Sequence, residues 1–145
     1  MNQQITPTSL VTTLKVRVRF SEMDALRMVW HGNYVTYLED ARERWGEEHG
    51  LAYMDMYRNG FVAPLYDLRL HYRGAASMGD ELEVKITYCR ATGAKLVFRY
   101  EITNCRTSQL ILTAESVQLF TDLNGEFFPA LPPFYEQWLQ TQHLV

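Results

Sequence analysis

The sequence predicts an α+β domain, with one long helix wrapped by a curved five-stranded antiparallel sheet. Three observations carry this. Residues 34–49, YVTYLEDARERWGEEH, repeat with helical spacing and place apolar residues on more than one side. Five other segments alternate apolar and polar residues or run apolar, as strands do. No second long helical pattern is present, so a sheet with one apolar face must curl around a single helix to cover it.

The elements follow in the order β-α-β-β-β-β. Residues 1–13 are polar and are expected to form a flexible N-terminal segment. The folded domain is expected over residues 14–133, with a C-terminal helical tail over residues 134–145. The first strand is read from Leu14, Val16, Val18 and Phe20, which alternate with Lys15, Arg17 and Arg19. For the helix, Asn33 is the expected N-cap and Gly50 the expected C′ residue. Tyr34, Leu38, Ala41 and Trp45 share one face, and Asp40 and Arg44 can pair at i, i+4. Gly46 costs about 1 kcal/mol inside a helix relative to alanine. A close approach of another backbone would account for it.

The second strand sets Val62, Tyr66, Leu68, Leu70 and Tyr72 against Asp67, Arg69, His71 and Arg73. Residues 74–80 form a loop. In the third strand Leu82, Val84, Ile86 and Tyr88 alternate with Glu83, Lys85 and Thr87. In the fourth, Leu96, Phe98, Tyr100 and Ile102 alternate with Val97, Arg99, Glu101 and Thr103. Opposed residues of an antiparallel pair share a face. The two apolar sets therefore coincide only if their loop has an odd residue count. Ala91-Thr92-Gly93, with Gly93 left-handed, fits; it sets Cys89 opposite Lys95. Cys105 then lies far along the ladder, which disfavours a disulfide with Cys89. The fifth strand, Leu110 to Phe120, has mixed parity, as expected for a bulge or for cover on both faces.

Composition narrows the function classes. The chain has 145 residues, 47% apolar and 21% charged, with a net charge of −3. That is one ordinary globular domain, with no bulk charge to attract nucleic acid. MNQQITPTSLVTT lacks the basic and apolar regions of a secretory signal. No apolar run approaches the roughly 18 residues of a membrane span. The two cysteines have no metal-binding spacing and are read as reduced thiols of a cytoplasmic protein. No phosphate-binding glycine loop is visible.

Chemistry concentrates in FSEMDALRMVWHGNY, residues 20–34. Asp24 stands on the loop after the first strand, and His31 and Gly32 stand at the helix start. A helix N-terminus offers unpaired N–H groups and partial positive charge, which suit a developing oxyanion. An ionised carboxylate near the same point could act as nucleophile or base. Structural readings stand beside these: Asp24 as a turn residue, His31 as a structural histidine, Asn33 as a cap that shapes the anion site, and Glu39 as a carboxylate suited to the helix dipole.

RFSEMDALRMVWHGNYVTYLEDARERW resembles the signature of the hotdog-fold acyl-CoA thioesterases of the 4-hydroxybenzoyl-CoA thioesterase-like family. Phe20, Asp24, His31, Asn33, Tyr34, Glu39, Ala41 and Arg42 occupy the positions of its pattern. GAASMGDELEV and NGEFFPALP are similar to its Gly-Asp turn and C-terminal end. The resemblance implies a hotdog fold, homodimers with continuous sheets often paired into homotetramers, and hydrolysis of an acyl-CoA or acyl-carrier-protein thioester without metal or cofactor. It puts Asp24 in the place of the catalytic carboxylate. It puts the backbone N–H groups of His31 and Gly32 in the oxyanion hole, with the His31 side chain orienting water or thioester. Asn33, Trp30, Arg90 and Lys95 are the expected substrate-binding residues, the last two through phosphates of coenzyme A. Relatives often carry Tyr where this chain has Phe20. Arg27 to Trp30 replace a smaller, glycine-richer stretch, which would reshape the acyl pocket. Two other readings are an acyl-thioester binding module without turnover and a hotdog dehydratase using His31 and Glu39.

Overall fold

A computed structural model describes residues 4–144. Its elements are β1 (Thr6–Arg17), a 3-10 turn (Phe20–Glu22), α1 (Asn33–His49), α2 (Tyr53–Arg58), β2 (Phe61–Val62), β3 (Leu65–Tyr72), β4 (Glu81–Arg90), β5 (Lys95–Asn104), β6 (Leu110–Leu119), β7 (Thr121–Asp122) and α3 (Pro133–Thr141). Five strands form one antiparallel sheet in the order β1-β4-β5-β6-β3, and β2 pairs with β7 in a small ribbon. β4, β5 and β6 are a meander, while β3 crosses to the far edge beside β6.

The apolar parity of β4 and β5 is the buried face of the sheet: Leu82, Val84, Ile86 and Tyr88, then Leu96, Phe98, Tyr100 and Ile102. α1 lies on that face with Tyr34, Tyr37, Leu38, Ala41 and Trp45 buried. Trp45 is the centre of the contact. Its ring meets Phe98 edge-on at 4.7 Å and stacks on Tyr88 at 5.7 Å, and its indole N–H donates to Leu10 O at 3.0 Å. Truncating such a residue costs about 3–5 kcal/mol. α3 closes the end of the core with Tyr135 and Trp138, and Trp138 Nε1 donates to His49 O at 2.6 Å. Gly46 is a close approach, as expected: a Cβ there would stand 2.8 Å from Ala52 Cα. Gly50 ends the helix with a left-handed φ of 75°.

Several boundaries differ from the sequence reading. β1 starts at Thr6, so residues 6–13 of the expected flexible segment belong to a strand that pairs with β4 on either side of a register shift between Pro7 and Val11, while residues 1–3 of it lie outside the described residues. One face of this edge strand looks outward, so its polar composition hides it. Phe20 leaves the strand for the 3-10 turn and is 79% exposed. Pro64 separates β2 from β3, because proline cannot donate to a ladder. The β4–β5 ladder sets Cys89 opposite Val97 rather than Lys95. The slip is two residues, so the apolar faces still coincide, and Gly93 keeps a positive φ of 94°. Cys89 and Cys105 are both free. β5 and β6 shift register between Ile102 and Thr103, the irregularity that the mixed parity of the fifth strand foretold.

Candidate active site

After β1 the chain makes a small hairpin that ends at the start of α1. Glu22 anchors it. Its Oε1 accepts from Arg19 N at 2.8 Å and from the Tyr37 hydroxyl at 2.8 Å. Its carbonyl accepts from Trp30 N at 2.9 Å and from Asn33 Nδ2 at 2.8 Å. Met23 and Val29 form the next rung, and Asp24 N donates to Met28 O at 2.8 Å. The tip, residues 24–28, turns through Arg27 at φ 62°, a left-handed conformation uncommon for a residue with a Cβ. The hairpin rests on the 74–80 loop through Val29 N to Ala76 O at 2.9 Å and Ser77 Oγ to Arg27 O at 3.3 Å.

Asp24 is a turn residue, as one of the two sequence readings expects, and keeps its second oxygen open. Its Oδ1 caps the tip, accepting from Leu26 N at 2.8 Å and Met28 N at 3.3 Å. Its Oδ2 meets no donor among the described residues. Asp24 lines an open groove of about 690 Å³ with Phe20, Met23, Arg27, Ser77 and Met78. Two of those walls, Phe20 and Met78, are exposed apolar side chains.

The helix start lies three residues along the same hairpin ladder. α1 begins at Asn33, with Gly32 as its cap residue in helical conformation. The expected N-cap role of Asn33 is therefore corrected. Its side chain ties the helix to Glu22 by donating to a carbonyl rather than accepting from N–H groups of the first turn. Among the described residues, the N–H groups of His31 and Gly32 have no acceptor within the chain. The Trp30 ring lies over Gly32 so closely that a Cβ at position 32 would fall 2.2 Å from it. A side chain at position 32 would have to displace the half-exposed Trp30 ring. The His31 ring sits 4.9 Å from Trp30 and edge-on to Tyr72 at 6.4 Å, and the Tyr72 hydroxyl donates to His31 O at 3.0 Å.

The hairpin thus carries Asp24 at its tip, with Trp30, His31, Gly32 and Asn33 where it runs into α1. The fold does not bring Arg90 and Lys95 there. They flank the turn at the far end of β4, nine residues beyond Glu81 and roughly 30 Å away. Glu39 is exposed on α1 and borders a second groove with Arg42. Among the described residues, no group of three His, Cys, Asp or Glu is placed to hold a metal ion. Sequence reasoning gave Tyr72 and Arg42 no role in the site. Tyr72 was hidden because its contact with His31 spans two distant elements, and Arg42 because its place in the family pattern says nothing of the rings that bury it.

Comparison with known proteins agrees with this architecture. A family model described as the thioesterase-like superfamily matches residues 18–139. A Bacillus subtilis protein provisionally named an acyl-CoA thioesterase is 28% identical over 129 residues, covering 86% of this chain and 93% of its own length. The Escherichia coli acyl-CoA thioester hydrolase YbgC is 26% identical over 95 residues, covering 66% of this chain and 71% of its own length. Among solved structures, a DHNA-CoA thioesterase from Staphylococcus aureus superposes with a TM-score of 0.79 at 24% identity, covering 92% of each chain. A 1,4-dihydroxy-2-naphthoyl-CoA thioesterase from Synechocystis gives 0.78 at 20% identity, over 90% of this chain and 96% of its own. At these identities the two structures show a shared fold.

Proposed function

The chain belongs to the thioesterase-like superfamily, and on that premise we propose that it hydrolyses an acyl-CoA thioester, with Asp24 as the working carboxylate. The observation that carries the proposal is the half-occupied Asp24 carboxylate, held on a hairpin tied to a helix start whose N–H groups await an acceptor. The names of the relatives that cover most of this chain support the substrate class.

The chemistry closes without a metal or cofactor. In one path Asp24 removes a proton from water as the oxygen adds to the thioester carbon. In the other, the Asp24 carboxylate adds directly, forming a mixed anhydride that water then cleaves. Both give a tetrahedral oxyanion, which the N–H groups of His31 and Gly32 stabilise. Collapse breaks the C–S bond, and coenzyme A leaves as a thiolate that takes up a proton. One such donor is typically worth on the order of 10² to 10³ in rate. Asn33 holds the hairpin against the helix, and Trp30 bounds the space over Gly32.

The assembly belongs to the same proposal. β3 is an open sheet edge with Leu65, Tyr66 and Tyr72 exposed, a surface suited to pairing with a second copy. Dimers formed there would pair into homotetramers. Arg90 and Lys95 would then meet coenzyme A phosphates only across a subunit boundary. Two free cysteines favour a cytoplasmic home. Among the described residues no helix is long and apolar enough to cross a membrane.

The test is thiol release from short, long, branched and aromatic acyl-CoAs and from an acyl-carrier-protein thioester. Turnover of at least one acyl-CoA class is expected. Tight binding of acyl-CoA with no hydrolysis of any would replace the proposal with a binding module.

A further inference from the structure

The helix stripe that leads away from the oxyanion donors ends at a buried cation. Val35, Glu39 and Arg42 follow His31 at four, eight and eleven residues, one side of α1. With Leu65 and Leu68 of β3 they border an open groove of about 270 Å³. Arg42 is only 2% exposed. Its guanidinium lies between the rings of Phe98 at 4.8 Å and Tyr53 at 4.9 Å, with Trp45 at 5.4 Å.

Its hydrogen bonding is incomplete. Nε donates to Gln118 Oε1 at 2.9 Å, and Gln118 is itself fixed by donating to Ala63 O. Nη1 and Nη2 reach only Leu51 O, each at 3.5 Å, the outer limit of a hydrogen bond. Arginine carries five N–H donors. The ion pairs among the described residues use Lys15, Arg58, Arg69 and Arg99, so no carboxylate answers Arg42. Burial pulls the guanidinium below its ordinary pKa. A buried charge is retained at a cost unless something pairs with it.

We propose that this groove receives the far end of the acyl group and that Arg42 binds a carboxylate carried there. The inference rests on the hydrolase reading above and names its substrate class: coenzyme A monoesters of extended dicarboxylic acids. The apolar wall formed by Val35, Leu38, Leu65 and Leu68 accommodates the methylene chain. Gly32 and Arg42 are ten residues apart, roughly 15 Å along the helix axis. A short acyl group held at Gly32 does not reach the guanidinium, whereas an extended chain does. Cation and carboxylate would form a bidentate pair in a water-poor site, where such pairing is strong and directional.

The experiment compares kcat/KM of the full-length protein for dodecanedioyl-CoA and dodecanoyl-CoA, a pair matched in chain length. The diacid ester is expected to be favoured at least ten-fold. Gln118→Glu supplies Arg42 with a carboxylate while giving up the bond to Ala63 O, so its fold is checked by circular dichroism, and the ratio is expected to fall toward one. Arg42→Met, if folded by circular dichroism, should do the same. Hydrolysis of both esters by the unmodified protein with a ratio near one overturns the inference and leaves the hydrolase reading intact. A preference that survives Gln118→Glu also overturns it. If Gln118→Glu alters the oligomeric state and the unmodified protein shows no preference, the groove is a subunit contact and the inference falls. If no acyl-CoA is hydrolysed, the hydrolase reading fails first and the inference with it.

Discussion

Asn33 separates two physical accounts of how the site is built. As a helix N-cap it would accept a bond from the first turn, and aspartate would serve equally well. In the structure its Nδ2 donates to Glu22 O at 2.8 Å, a task no carboxylate can perform. Asn33→Ala removes one bond, and Glu22 O keeps its bond from Trp30 N, so the loss is about 0.5–1.5 kcal/mol. Asn33→Asp removes the same bond and sets an anionic acceptor against a carbonyl oxygen. The combined loss is about 2–3 kcal/mol. For a chain of this length that lowers Tm by roughly 5–10 °C, against about 2–5 °C for the alanine variant. Urea unfolding and thermal melts at pH 7 measure both. On acidification the introduced carboxyl regains a donor, so its deficit relative to Asn33→Ala should narrow. The reasoning is refuted if Asn33→Asp matches the native protein in stability, or exceeds Asn33→Ala at pH 7.

Other expectations follow from the packing. Gly46→Ala gains about 1 kcal/mol of helix propensity but drives a methyl to 2.8 Å from Ala52 Cα and 2.9 Å from Leu51 O; overpacking against backbone costs about 1–3 kcal/mol, so net destabilisation is expected in urea titrations. Trp30→Ala uncovers Gly32, so the kcat/KM ratio of bulky to short acyl-CoAs should rise several-fold; an unchanged ratio removes Trp30 from substrate selection. Burial raises the Tyr100 hydroxyl from 10.0 to about 12, and burial also raises Tyr37 and Tyr135. Below pH 10 these tyrosines are protonated in both folded and unfolded chains, and their contribution is fully present. Between pH 10 and 12 only the unfolded chain ionises, so the urea midpoint should fall as pH rises through that window; a flat midpoint contradicts the burial.

How much was legible in the sequence follows from what is local. The helix and the inward parity of β4 and β5 are periodic signals, and that parity survived a two-residue slip in register because the slip preserves the face. That Asp24, His31 and Gly32 lie on one loop leading into α1 was legible because they belong to a short contiguous stretch. What escaped depends on contacts between distant segments. β1 reached back to Thr6 only because β4 offers a partner to polar residues. Asn33 became a tether because Glu22 O, eleven residues earlier, faces it. Arg42 is buried by rings drawn from α1, α2 and β5, and no helical pattern in its own segment foretells that cage.

The central claim is that the Asp24 carboxylate performs the hydrolysis while the helix start holds the oxyanion. The direct measurement is steady-state hydrolysis of the best acyl-CoA by Asp24→Asn, alongside its thermal melt. The amide preserves an acceptor for Leu26 N, so the fold should persist, while kcat should fall on the order of 10³ or more. A folded Asp24→Asn protein with near-native kcat would contradict the account.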